Sequence, residues 1–133
     1  MKQIVHLNEQ IKQEVARIEE QCENVGSMLQ GKYEGDFRIL SESLMIELVR
    51  EKKGKSASKE DLFLDSYQSY LEIGVEKNGV YYPNGYIPIW KCKMEMFHPV
   101  GYLMNLNMYA LEKKLQEMII EIYEDHRRER EVT

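Results

Sequence analysis

Residues 71–96, LEIGVEKNGVYYPNGYIPIWKCKMEM, decide the fold class of this chain. Leu71, Ile73 and Val75 alternate with Glu72, Gly74 and Glu76, the two-residue period of a strand with one buried face. Asn78-Gly79 follows, a dipeptide suited to a type I′ hairpin turn because both central residues of that turn take positive φ. A two-residue turn there pairs Lys77 with Val80 and Val75 with Tyr82. Tyr82 then shares the face of Ile73 and Val75, and Tyr81 points away. Pro83 is expected to cut the second strand short, with Pro83, Asn84 and Gly85 making another turn. A third strand then sets Trp90, Cys92, Met94 and Met96 on one face and Lys91, Lys93 and Glu95 on the other. This reads as a three-stranded antiparallel meander.

Helical periods flank it. Ile4, Leu7, Ile11, Val15, Ile18, Cys22, Val25 and Leu29 recur at spacings of three and four, predicting a helix from about residue 3 to Gln30, stopped by Gly31. Gly35 and Asp36 open a second predicted helix, with Phe37, Leu40, Leu44 and Leu48 on one face and an end near Lys52. Ser58 with Asp61 resembles a capping box and starts a short helix through about Gln68. Val100, Leu103, Leu111, Leu115, Met118 and Ile122 mark a last helix. Pro99 sits in its first turn, Asn105 and Asn107 weaken its start, and it continues to about Arg128.

The expected architecture is α+β: a short three-stranded antiparallel sheet packed against long N- and C-terminal helices, with one or two shorter helices between, in a single domain over 1–133. Glu14 and Gln21 interrupt a strict heptad, so the first helix reads as one packed on a globular core rather than a long coiled coil. A helix of about 28 residues nevertheless extends roughly 42 Å, long for a chain of 133 residues, which points to homo-oligomerisation.

The net charge of −5 argues against a generally basic nucleic-acid-binding surface and is compatible with docking onto a basic protein surface. No apolar run reaches the length of a membrane span and no secretory leader is visible, so no membrane partner and a cytoplasmic location are expected. Cys22 and Cys92 are too far apart for a metal motif and too few for a disulfide framework. They read as buried thiols.

Nine aromatic residues fall between Phe63 and Tyr102. With the Ile73 face covered by helices, Tyr81, Tyr86, Ile87 and Ile89 are left either beneath a second small core or on a partner-binding surface. The stretch Arg50–Lys59 collects Arg50, Lys52, Lys53, Lys55 and Lys59. Lys52, Lys53 and Lys55, together with Lys91, Lys93 and His98, form a candidate anion or ligand site, although the glycine spacing of a phosphate loop is missing. Glu117, Glu121, Glu124, Asp125 and His126 have a poor spacing for chelation from one helix. No nucleophile, base and orienting group occur together, so no catalytic residue, metal or cofactor is assigned. The expected role is that of a non-enzymatic intracellular interaction or regulatory protein, homo-oligomeric, masking or bridging a protein partner through the tyrosine-rich sheet, in the manner of a small mobile-element inhibitor. The alternative is a protein that binds or sequesters a small ligand or nucleotide by aromatic stacking and lysines, with nucleic acid a minor variant.

Overall fold

In a computed structural model describing residues 1–132, the chain runs β1 (Lys2–Ile4), α1 (Glu9–Ile39), β2 (Ser43–Lys52), β3 (Lys55–Ser56), β4 (Tyr67–Lys77), β5 (Val80–Glu95), β6 (His98–Leu103) and α2 (Met108–Val132). The Asn78-Gly79 hairpin forms as its residues dictate, with φ of 55° and 77° and the pairs Lys77–Val80 and Val75–Tyr82. Around it the sheet is larger than three strands. Six antiparallel strands lie in the order β1-β6-β5-β4-β2-β3, and two helices, not three or four, complete the fold.

Each correction has a local cause. Leu44 and Leu48 lie four apart and read as helical, yet Leu44 and Ile46 are buried in a strand that pairs residue by residue with β4, from Ser43–Glu76 to Lys52–Tyr67. The i+2 period therefore prevails over the i+4 one. Phe37 and Leu40, read as the start of that helix, instead end α1. Gly31 and Gly35 do not stop α1, because Leu29, Tyr33 and Phe37 continue its packed stripe across them. Residues 3–7 precede the helix, which begins after Asn8, whose Oδ1 accepts from Ile11 N–H at 2.9 Å. Ser58 and Asp61 do form a capping box, but it closes only a 3₁₀ turn over Lys59–Asp61. Residues 98–103 form β6, and Asn107 caps α2 through Ala110 N–H at 2.8 Å. The asparagines that weaken this region as helix are its boundary.

β5 passes through Pro83 and Pro88 without stopping. Its Val80–Pro88 half is paired with β4 on one side, and β6 pairs only from Trp90 onward. Proline is tolerated on such an edge and discourages addition of another strand. Two register shifts bend the strand: Ile73–Gly85 is followed by Gly74–Pro83, and Ser69–Trp90 by Tyr70–Pro88, leaving Asn84 and Ile89 as extra residues.

Both helices cover one face of the sheet. Val15, Cys22, Leu29 and Phe37 of α1 and Leu111, Leu115, Ile119 and Ile122 of α2 share one core with Leu44, Ile46, Leu71, Ile73, Val75, Ile87, Ile89 and Trp90. Trp90 stands over Gly101, where any Cβ would enter the indole ring, and its Nε1–H donates to the Leu62 carbonyl at 2.8 Å. Within this core Glu19 is buried but compensated. It accepts from Arg50 Nε at 3.0 Å and from the Tyr67 hydroxyl at 2.6 Å. At the far end Glu42 meets His126, Arg130 reaches the Leu40 carbonyl, and Phe37 and Tyr123 stack edge to face, fastening α2 to the end of α1.

Candidate interaction face

Among the described residues, no helix lies over the opposite face of the sheet. Strand alternation places on it a rung of Glu47, Glu72 and Tyr86, a second of Val49, Tyr70 and Pro88, and a third of Glu51, Gln68, Lys91 and Tyr102. The first rung is unusual because Glu47 and Glu72 are direct cross-strand partners, and like charges at such positions repel. Among the described residues neither has a Lys, Arg or His within 4.0 Å.

Tyrosines frame these carboxylates. The Tyr70 and Tyr86 rings meet edge to face with centroids 5.5 Å apart. Tyr70 donates to Glu51 at 3.3 Å, and Gln68 donates to the same carboxylate. Tyr81 lies across Gly74, where a Cβ would come 2.7 Å from its ring, and its hydroxyl reaches Glu72 at 3.0 Å. Glycine at position 74 therefore leaves room for the Tyr81 ring and for the Tyr82 carbonyl, which a Cβ would approach to 2.4 Å. Partial burial, then donation to Glu72, raises the Tyr81 pKa well above its ordinary value, and burial beside Glu51 raises that of Tyr70. Both phenols stay protonated as donors. Tyr86 remains 64% exposed. Carboxylates held between tyrosine rings suit a cation, which gains both charge pairing and the negative face of the rings.

The residues singled out from sequence do not come together in one site. Tyr81 and Tyr86 lie on this open face. Ile87 and Ile89 do not: they are 1% and 0% exposed, because the extra residue at Ile89 lets Ile87, Ile89 and Trp90 all enter the helix-covered core. Lys53, Lys91 and Lys93 line one shallow depression with Asp65 and Gln68, and the Lys91 and Lys93 amines sit 5.7 and 5.8 Å from the Tyr102 ring centroid. Lys52 and Lys55 pair across the neighbouring β2–β3 hairpin. His98 stands apart, in a depression with His6 and Pro99. Glu47, Glu51, Glu72 and Tyr70 were not singled out, because Glu47 and Glu51 lie in a segment that reads as helix.

No three-member group of His, Cys, Asp or Glu among the described residues could hold a metal ion. Of the acidic stretch near the C-terminus, His126 is engaged by Glu42 and Glu124 by Arg127. Burial pushes the Cys22 thiol up to about 12 and the Cys92 thiol up to about 11, so neither supplies a thiolate nucleophile near neutral pH. No helix of the described chain is long and apolar enough to cross a membrane. No protein-family model matches the chain, and neither a curated protein nor a solved structure is significantly similar to it.

Proposed function

We propose that this chain is a non-enzymatic binding protein that holds a basic segment of a protein partner against the uncovered face of its sheet, and so masks that segment or bridges it to something else. The observation that carries this reading is the Glu47–Glu72 cross-strand pair, set among Tyr70, Tyr81 and Tyr86 with no ion-pairing cation within 4.0 Å among the described residues. An Arg or Lys from the partner relieves the repulsion and stacks on Tyr86, and the tyrosine hydroxyls tolerate the wet rim of such an interface. The acidic net charge of −5 speeds the approach of a basic partner. A reducing cytoplasm belongs to the same reading, supported by two buried, separate free cysteines. Self-association, where it occurs, would use this face too, since both long helices already lie on the sheet.

The test is titration of a fluorescent Arg-rich peptide and of its Glu-for-Arg counterpart. Saturable binding of the basic peptide alone is expected, with affinity falling at least about tenfold in Glu47→Gln/Glu72→Gln and in Tyr86→Ala. None of these residues belongs to the buried core, so neither variant should unfold, and the double Gln variant, relieved of the carboxylate repulsion, should melt no lower than the wild type. Equal binding of both peptides, or none, would overturn the proposal.

A second reading rests on Lys53, Lys91, Lys93 and Tyr102, which could hold a nucleotide by phosphate pairing and base stacking. A thermal-shift series with nucleoside di- and triphosphates checks it: a saturable upward shift, lost in Lys91→Ala/Lys93→Ala, is required.

A further inference from the structure

The turn joining β5 to β6 breaks the rule that the Asn78-Gly79 turn obeys. Met96 and Phe97 are its two central residues, between the paired Glu95 and His98, and both take left-handed φ, 47° and 70°. Bulky residues are strained in that conformation, whereas Asn-Gly adopts it readily. The side chains gain no packing in return: Met96 is 87% and Phe97 97% exposed, and Met94 on the strand below is 54% exposed. An apolar apex that costs the fold twice, in strain and in exposure, has a use outside the fold.

The surroundings indicate the occupant. Lys93 and Lys91 lie two and four residues behind Glu95 on the same strand, and Lys53 borders the same depression. None of the three forms an ion pair within 4.0 Å among the described residues. The nearby carboxylates are each engaged as acceptors, Asp65 by Met94 N–H at 2.7 Å, Glu95 by the Tyr102 hydroxyl at 2.6 Å, and Glu51, on the rung of Lys91, by Gln68 and Tyr70. At about 3.4 Å per residue, the apex stands roughly 10 Å beyond Lys93. That separation matches an apolar tip sunk to the boundary between headgroups and acyl chains while the ammonium groups stay among the phosphates. From this we infer that the Met96-Phe97 hairpin is a membrane-surface anchor for an anionic lipid leaflet. It is a one-sided contact that needs no spanning segment, and it stands independently of the partner proposed for the open sheet face.

The experiment is co-sedimentation of the full chain with phosphatidylcholine vesicles, with and without phosphatidylglycerol, at low and high salt. Binding to the anionic vesicles, weakened by salt, is expected. Met96→Asn/Phe97→Gly should lower the partition coefficient at least about tenfold, the loss expected for withdrawing two large apolar side chains, while its melting temperature equals or exceeds that of the wild type. Lys91→Gln/Lys93→Gln should remove most of the preference for phosphatidylglycerol. In Phe97→Trp, tryptophan emission should shift to the blue on adding anionic vesicles. Failure of the wild-type chain to sediment with anionic vesicles would overturn the inference, as would vesicle binding unchanged by the Asn-Gly turn. So would a Phe97→Trp emission that responds to the basic peptide and ignores lipid, since the tip would then be seated on protein.

Discussion

Glu19 shows how one residue can look unremarkable in sequence and be central in the structure. It falls among several glutamates of α1, yet it is buried and shared by Arg50 of β2 and Tyr67 of β4, tying the helix to two strands. Removing one member of a buried, hydrogen-bonded ion pair leaves the other without its partner, at a cost of about 3–5 kcal/mol. Arg50 keeps some contact with water, its side chain being 26% exposed, so Glu19→Ala should fall at the low end, about 3 kcal/mol by urea denaturation. Glu19→Ala/Arg50→Met should recover part of the loss if the penalty is the stranded cation. The neighbouring thiol gives a pH test. Burial, and then the charge of Glu19, raises Cys22 from 9.0 to about 12, and burial raises Cys92 from 9.0 to about 11. A thiol with a raised folded-state pKa binds its proton more tightly when folded. Its stabilisation is complete below pH 9 and is lost as the pH rises through 11 and then 12. The urea midpoint should therefore fall above pH 9, less steeply in Cys22→Ala, and a midpoint flat in pH would show that the thiol environments are misassigned.

At the scale of elements, α1 is longer and α2 shorter than their sequence signals suggest. Gly31 and Gly35 lie inside α1, and a Cβ added at either position would meet no atom within 4 Å, so they cost backbone entropy and serve no close approach. Gly31→Ala/Gly35→Ala should stabilise the protein by about 1–2 kcal/mol, raising the melting temperature by roughly 3–8 °C. Loss of stability would mean that the helix needs to bend there. Gly101 is the opposite case, since it admits the Trp90 ring. The Asn78-Gly79 turn and the register leading away from it were legible because a two-residue turn leaves the pairing no freedom. β2 was not, because LMIELV satisfies both a helical and an alternating reading until β4 is present to pair with it. β6 was hidden for a similar reason: His98-Pro99 is a sound helix start in isolation, and only the need of Trp90 for a glycine neighbour marks it as strand. Ile87 and Ile89 were misplaced on the faces by a single extra residue, since a bulge carries no reliable local signature.

Across the whole molecule, the helix-covered face is built as a stable core, although the buried Ser69 Oγ lacks a hydrogen-bond partner there among the described residues, and two larger departures from the rules of stability lie on surfaces the helices do not cover. The Glu47–Glu72 pair and the Met96-Phe97 turn are both choices that a sequence selected for stability alone would avoid, and such local conflicts concentrate where a protein has work to do. This makes the open face testable in a way that ordinary loss of binding is not. Glu47→Lys replaces a cross-strand repulsion with an attraction to Glu72 and should stabilise the fold by about 0.5–1 kcal/mol. It also places a cation where the partner's cation is proposed to sit. The same variant should therefore melt higher and bind the Arg-rich peptide at least about tenfold more weakly. A purely structural role for the rung predicts the gain in stability with binding intact. A gain in stability accompanied by loss of binding would mean that Glu47 is retained for what it meets outside the chain.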